Sequence, residues 1–257
     1  MTEPAAGEPG ATAPVRVLFD AKAATWAAKY APGGALTGRR SRLTAAVSAH
    51  AGPGARVLDL GCGSGDLARH LAEAGLRVTG CDISRRMLEQ AERADPAGTW
   101  VTLDPAWRVL PFGAGAFSAV IASSVLEYVT DPVAVLRECA RVLVPGGAVL
   151  CTVPDTRHPV RWLEWPAARC ATLLGPVLGP VAGPRPPASG GSSGRAARLR
   201  GYVGYLQVSR QRHSARWWAA AAGRAGLLPA AVPGPGAREP LRLLGFRTPG
   251  REALRPG

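Results

Sequence analysis

Uncharged apolar stretches are short in this chain: no run of about twenty residues is both apolar and free of charge, which argues against a spanning helix. Residues 1–14 are small and acidic where a secretory leader would be basic and then apolar, so no signal peptide is expected. Paired cysteines are missing too. Cys62, Cys81, Cys139, Cys151 and Cys170 make no CxxC pair and no even framework, which points to a reducing cytoplasm. With four scattered histidines and no HExxH pattern, no metal is expected. Acidic residues are few, 18 against 31 Lys and Arg, and the imbalance is local. Residues 1–150 hold 15 basic and 14 acidic side chains, whereas residues 151–257 hold 16 and 4. Such a block suits an acidic or phosphorylated ligand, an anionic membrane surface or nucleic acid. Nearly all these residues are arginine among abundant Ala, Gly and Pro, so compositional bias is an equal alternative.

What remains is enough for one core. A length of 257 residues at 47% hydrophobic composition supports a single domain with decorations. Val15–Tyr30 has the spacing of an amphipathic helix and is stopped by Ala31-Pro-Gly-Gly; a second helix is predicted over 40–50. Strand-like runs follow at 56–60, 77–81, 100–103, 119–123 and 148–153. Helical stretches lie between them at 64–74, 84–94 and 132–142, the last closed by Pro145-Gly146-Gly147. Strands alternating with helices of this length indicate a doubly wound, mostly parallel α/β sheet with helices on both faces. From Pro154 the pattern changes to a Trp-, Leu- and Pro-rich segment and a Gly/Ser-rich loop over 184–195. A helix at 214–225 and two further strands at 227–232 and 241–247 complete a seven-stranded sheet, with the insert ahead of its last two strands.

In such a sheet, ligands bind beyond the carboxyl ends of the strands where their order reverses. Val57-Leu-Asp-Leu-Gly-Cys-Gly-Ser-Gly65 reads as a buried strand entering a tight loop, with Asp59 at the strand end and Gly61 and Gly63 free of a Cβ that would block a ligand. A dinucleotide fingerprint would need glycine at position 66, where the chain has Asp66. A pyrophosphate would be repelled by these carboxylates. S-adenosylmethionine, with a sulfonium and an ammonium, would be attracted. Asp82, 23 residues after Asp59, closes the second strand and can accept from both ribose hydroxyls; taken singly it also suits the approach to a helix starting at Ser84.

These segments, with Val78-Thr-Gly-Cys-Asp-Ile-Ser84, Met87-Leu88, Leu110-Pro-Phe112, Val125-Leu-Glu-Tyr128 and Leu143-Val-Pro-Gly-Gly147, resemble the class I S-adenosylmethionine-dependent methyltransferases. The likeness covers residues 15 to about 153 and is nearest the small-molecule branch that includes the ubiquinone and menaquinone methyltransferases. It implies a Rossmann-like fold. Asp59, Gly61, Cys62 and Gly63 would hold the methionine end, Asp82 the ribose, and Ile83 and Met87 would pack on adenine. Phe19-Asp20-Ala21-Lys22-Ala23-Ala24-Thr25-Trp26 resembles the family segment whose last aromatic covers the cofactor. Trp26, Tyr30 and Ser123 are therefore assigned to it, with packing in the core as the plain alternative for Trp26. Two positions depart from the family. Ala106 stands where an acidic residue usually meets the adenine amino group, which moves the expectation to Asp104 and Trp107. Ser118 replaces a common aspartate.

The implied layout is one methyltransferase domain over 15–257: a helical cap (15–50), a cofactor-binding core (51–153), a lid over the acceptor (154–213) and a closing helix with strands (214–257), after a disordered tail at 1–14. Methyl transfer needs alignment, exclusion of water and, for a hydroxyl acceptor, removal of a proton. His213, His158, Glu127 and Tyr128 are the candidates for a base, and His213 is the one assigned, its titration range suiting the task, although an exposed histidine in an arginine-rich loop is the plain alternative; Glu127 could equally contact the cofactor or cap the next turn. Glu127, Tyr128, His158, Trp162, Arg212 and His213 are assigned to the acceptor. The lid's apolar residues Trp162, Trp165, Leu173, Leu174, Val177 and Leu178 suit a hydrophobic acceptor, peripheral membrane contact or a dimer interface, or packing on the sheet. The expected function is methylation of a small molecule, a secondary metabolite or a lipid- or sugar-linked intermediate, on oxygen first, with nitrogen or carbon as the alternatives, by a cytoplasmic monomer or homodimer. A nucleic-acid methyltransferase is the rival that basic charge suggests. Ser123-Ser-Val-Leu126 stands where its (Asp/Asn)-Pro-Pro-(Tyr/Phe) signature would be, so no nucleic acid is expected. A protein that binds S-adenosylmethionine for another activity is the third reading.

Overall fold

The computed structural model describes residues 13–34, 36–161, 164, 204–233 and 240–250. Helix α1 (Ala13–Trp26) tightens into a 3-10 turn (Ala27–Tyr30) and is followed by α2 (Thr37–Ser48). The alternating core then runs β1 (Arg56–Leu60), α3 (Asp66–Glu73), β2 (Arg77–Asp82), α4 (Arg85–Ala94), β3 (Thr99–Thr102), β4 (Phe117–Ser123), α5 (Pro132–Val142) and β5 (Leu143–Pro154). Helix α6 (Ala215–Arg224), β6 (Leu228–Ala230) and β7 (Leu241–Arg247) close it. The seven strands lie in the order β3-β2-β1-β4-β5-β7-β6, with β7 antiparallel to both neighbours and the other pairings parallel. The strand order reverses between β1 and β4, so the crevice opens at the ends of those two strands.

Two apolar layers sandwich the sheet, because successive side chains on a strand point to opposite faces. Leu58, Val120, Ala122 and Val149 join Leu136 and Cys139 of α5 and Trp218 of α6 on one side. Val57, Ala119, Ile121 and Leu150 meet Leu43 and Val47 of α2 and Leu67 and Leu71 of α3 on the other. A third, small cluster of Val15, Leu18 and Val208, with Phe19 and Tyr128 against it, ties α1 to the crevice. Side chains cap the helices that border the ligand end. Ser84 Oγ accepts from Met87 N at 3.2 Å, and Asp131 Oδ1 accepts from Val133 N and Ala134 N at 2.9 and 3.0 Å ahead of Pro132.

Several boundaries differ from the sequence reading. Ala13 and Pro14, placed in a tail, belong to α1, since proline suits a first helical turn; residues 1–12 lie outside the described residues. The first helix is not α-helical to Tyr30, because its last turn is 3-10. Helix α3 starts at Asp66 rather than Ser64: Gly65, at φ +75°, still belongs to the loop. Pro145-Gly146-Gly147 does not end a helix before a separate strand. It bulges within β5, where Phe117 pairs with Leu143 and Ala119 with Ala148. Of the insert, Trp162, Trp165, Arg169 and Leu173–Leu178 lie outside the described residues, and with them the membrane and dimer expectations. Among the described residues, no helix is long and apolar enough to cross a membrane.

Candidate functional site

Beyond the ends of β1 and β4 lies a cavity of about 420 Å³. Its floor is the loop 61–65. Gly61 takes φ +71°, and a Cβ there would stand 2.4 Å from Val125 Cγ2. Gly63, at φ +56°, would set a Cβ 3.1 Å from Trp26 Nε1. Gly61 therefore demands glycine for conformation and for space, whereas a Cβ at Gly63 would need the Trp26 ring to yield by a few tenths of an ångström. The loop is held from β2: Gly61 N and Cys62 N donate to Cys81 O, and Gly63 N donates to Asp82 Oδ2 at 2.9 Å. Ser84 N donates to Asp82 Oδ1 at 2.8 Å, and Ser84 Oγ donates to Asp20 Oδ1 at 2.6 Å, fastening α1 over the crevice.

Asp59 is 1% exposed, and its Oδ2 has no hydrogen-bond partner. Burial, then the nearby Asp82, pushes its carboxyl up to about 8. Burial raises Asp82 to about 6, held back by the backbone N–H groups of Ser84 and Gly63. An acidic pair with one unpartnered oxygen fits a ligand that carries positive charge and hydroxyls, as S-adenosylmethionine does. Cations stand along the same cavity. Lys29 Nζ lies 3.6 Å from the centroid of the Trp26 ring, and burial, then Lys22 and Arg39, lowers it to about 8. Arg39 Nη1 donates to Ser124 Oγ at 3.0 Å. Ser124, at the tip of β4, has φ +56°, and its N–H donates to Thr152 Oγ1. Strain of this kind gathers at functional sites. Arg39 and Lys29 would suit the cofactor's carboxylate.

The cavity continues into an aromatic chamber. Phe19 meets Trp26 and Tyr128 edge-on, at 5.5 and 5.3 Å between centroids, and Tyr128 meets Tyr205 at 6.3 Å. At its wall Glu127 is 2% exposed, and its Oε2 accepts from Tyr205 OH and Ser209 Oγ, both at 3.2 Å. Burial raises the Glu127 carboxyl against these bonds. Its backbone carbonyl accepts from Arg210 N and Gln211 N, which seats the returning insert on the β4 loop. Arg161, beside it, pairs with Glu164 and donates to Pro240 O at 2.7 Å.

Of the residues assigned to the cofactor, Trp26, Tyr30, Asp59, Gly61, Cys62, Gly63, Asp82, Ile83, Trp107 and Ser123 line the cavity. Met87 does not: it is buried beneath the loop and supports it. Asp104 does not either. It is exposed, and its Oδ1 accepts from Ala106 N at 2.7 Å, so the carboxylate turns its own loop while Trp107 faces inward. Asp66, counted among the acidic groups near the ligand, is taken up by Ser64 Oγ and Arg69. On the acceptor side Glu127, Tyr128 and His158 line the cavity, and Trp162 lies outside the described residues. His213 and Arg212 are not among the described residues that line it. The imidazole stacks on Trp217 at 3.6 Å and bonds Gln211 Oε1 at 2.8 Å, because the aromatic start of α6 offers it a packing face. Arg212 instead turns its guanidinium back to Leu206 O. Sequence alone puts none of Lys29, Arg39, Glu164 and Tyr205 in the cavity, and sets Arg161 only beside the apolar face of the lid. A basic pair at Arg39-Arg40 was visible, with no sign of which arginine faces inward.

Comparison with known proteins agrees with this geometry. Residues 58–151 match a family model described as a methyltransferase domain. The ubiquinone biosynthesis O-methyltransferase of Caulobacter sp. (strain K31) is 39% identical over 100 residues, 38% of this chain and 40% of that one. The ubiquinone/menaquinone biosynthesis C-methyltransferase of Desulfotalea psychrophila is 40% identical over 135 residues, 50% and 53% of the two chains. The chain thus spans about half the length, or less, of these curated relatives. Among solved structures, magnesium protoporphyrin IX methyltransferase of Synechocystis PCC 6803, with bound S-adenosylhomocysteine, is similar at TM-score 0.63 and 19% identity, over 91% of this chain and 98% of that one. The 1,6-didemethyltoxoflavin-N1-methyltransferase of Burkholderia thailandensis follows at 0.58 and 18%, over 97% and 93%. These two show the fold. Residues 58–151 thus match a methyltransferase domain, and over that core the chain is similar to the ubiquinone methyltransferases, within a fold that the solved methyltransferases share.

Proposed function

We propose that the protein transfers the methyl group of S-adenosylmethionine to a small-molecule acceptor, and that the accepting atom is a hydroxyl oxygen. The observation that carries this reading is a single cavity in which the Asp59–Asp82 crevice runs into an aromatic chamber bearing the buried carboxyl of Glu127. The cofactor supplies an activated methyl group, and the chain has to align the acceptor, exclude water and take a proton. Phe19, Tyr128 and Tyr205 offer ring faces and edges to an apolar acceptor. Glu127 is the cavity carboxyl placed to receive the hydroxyl proton, in the part first given to His213. The ubiquinone O-methyltransferase relatives favour oxygen as the acceptor atom. A secondary metabolite or a lipid- or sugar-linked intermediate fits the chamber's polarity.

The test is acceptor-dependent formation of S-adenosylhomocysteine by the purified protein, with hydroxylated aromatic and prenylated compounds in one arm and RNA or DNA in the other. Turnover with nucleic acid alone would overturn the small-molecule reading. Cofactor binding without turnover in either arm would favour a different activity. With a working acceptor, Glu127→Gln is expected to lower kcat by about a hundredfold, the lower range for a lost general base, with cofactor Kd unchanged. An unaltered kcat would remove Glu127 from the chemistry.

A further inference from the structure

Asp59 and Asp82 close neighbouring parallel strands, Asp59 standing opposite Gly80 in the register and Asp82 two residues beyond. Their surroundings differ. Both oxygens of Asp82 accept backbone N–H bonds, from Gly63 and Ser84, and such donors stabilise a negative charge. Asp59 Oδ2 has no partner although the side chain is buried, and no ion pair to Asp59 occurs among the described residues. The other groups around it bring no compensation. Tyr30 faces it with a phenol that burial raises to about 12, and Cys62 and Cys81 with thiols that burial raises well above their usual range. Asp66 is occupied by Ser64 and Arg69, and Asp20 by Ser84. Of the cations along the cavity, Arg39 is bonded to Ser124 and Lys29 lies on the Trp26 ring. Two coupled carboxyls with environments this unequal separate into one that stays charged and one that keeps a proton.

We propose that Asp59 carries a proton in the empty crevice and surrenders it to solvent when the positively charged methionine end of the cofactor docks against it. This rests on the S-adenosylmethionine reading of the site and adds an exchange of charge at Asp59: the ligand's ammonium arrives as one proton leaves, while its carboxylate faces Arg39 and Lys29 along the same cavity. Burial and the charge of Asp82 put the Asp59 carboxyl at about 8, above neutrality, and a bound cation favours its ionised form. Binding near pH 7 therefore releases a proton, and affinity rises with pH, about tenfold per unit, until Asp59 is already ionised in the free protein. A truncated ligand that has the nucleoside but no ammonium gains nothing from this exchange. Asp59 thus makes the crevice select for the amino-acid end of its ligand, and the selection fades as pH falls.

Calorimetry of S-adenosylhomocysteine binding at pH 7, repeated in buffers of low and high ionisation enthalpy, measures the exchange directly. The ligand's own α-ammonium is mostly charged there. About one proton released per ligand is expected, and close to none with 5′-methylthioadenosine. Between pH 6.5 and 7.5 the Kd for S-adenosylhomocysteine should fall about tenfold. In Asp59→Asn the release should vanish and the Kd should become flat over that range. Binding by the wild-type protein with no buffer-dependent heat would overturn the proposal, as would a release that survives in Asp59→Asn. If that variant does not fold, the wild-type comparison of the two ligands decides. Absence of binding by either S-adenosylmethionine or S-adenosylhomocysteine to folded protein would instead refute the cofactor assignment itself, so the two failures remain distinct.

Discussion

Asp82→Ala is expected to weaken S-adenosylmethionine binding by at least a hundredfold, about 2.7 kcal/mol. The carboxylate has two duties that alanine cannot share. On the proposed reading it accepts from ribose hydroxyls, and charge-assisted bonds of this kind contribute roughly 1.5–3 kcal/mol each. It also accepts the N–H groups of Gly63 and Ser84, so its loss loosens the glycine loop and the start of α4 together. Asp82→Asn keeps the shape and one acceptor oxygen and should fall between the two, because the amide cannot receive from both backbone donors at once. Calorimetric Kd values for the three proteins, with melting curves to confirm folding, settle the matter. A change of less than about threefold for the alanine variant would show that the ribose lies elsewhere.

Gly61→Ala should be the most damaging single change in the loop. Alanine at φ +71° costs about 1–2 kcal/mol in backbone strain. Its Cβ would also fall 2.4 Å from Val125 Cγ2, and overpacking of this kind costs about 1–3 kcal/mol more. The sum, roughly 2–5 kcal/mol, corresponds to a lower Tm by about 4–20 °C in a chain of this size. Cofactor binding should be lost with it, since relief of the clash drives the β4 loop out of the crevice. The double variant Gly61→Ala with Val125→Ala separates the causes: stability should recover by the overpacking share while the backbone share remains. No recovery would mean that the strain is wholly conformational. A wild-type Tm in the single variant would contradict the loop geometry altogether.

The parts of the site that were legible in the sequence are those set by local chain geometry. A strand that carries Asp59 near its end and turns through Gly61 and Gly63 must open the crevice at the switch point, and the parallel neighbour brings Asp82 two residues beyond it into the same cavity. Spacing alone carries that information. The acceptor chamber depends on how the returning insert lies against the β4 loop, and there sequence distance is a poor guide. Tyr205 and His213 are eight residues apart in one segment, yet Tyr205 reaches Glu127 while His213 is held by Trp217. Residue type favours a histidine as base, but the packing of His213 on Trp217 keeps its ring away from the described cavity lining. Asp104 and Trp107 show the same thing at shorter range: an Asx turn takes the carboxylate, and the ring turns inward. The Pro145-Gly-Gly segment misled for a different reason, since its turn signal is real but serves a bulge within one strand.

The attachment of α1 bears on how ligands come and go. The floor of the crevice is the loop 61–65, carried by a sheet with an apolar layer on each face, whereas its cover α1 packs along α4 and is tied down by the Ser84–Asp20 bond, ring edges around Phe19 and the small cluster of Val15, Leu18 and Val208. A helix at the rim, outside the sheet, opens at lower free energy than the strands beneath it. Cofactor exchange can therefore proceed with the sheet intact. Amide exchange should register this as early labelling over 13–26 and late labelling over 56–60, with bound ligand slowing the first far more than the second. The cover then acts as a latch, and residence time is set by a handful of contacts that lie outside the glycine loop.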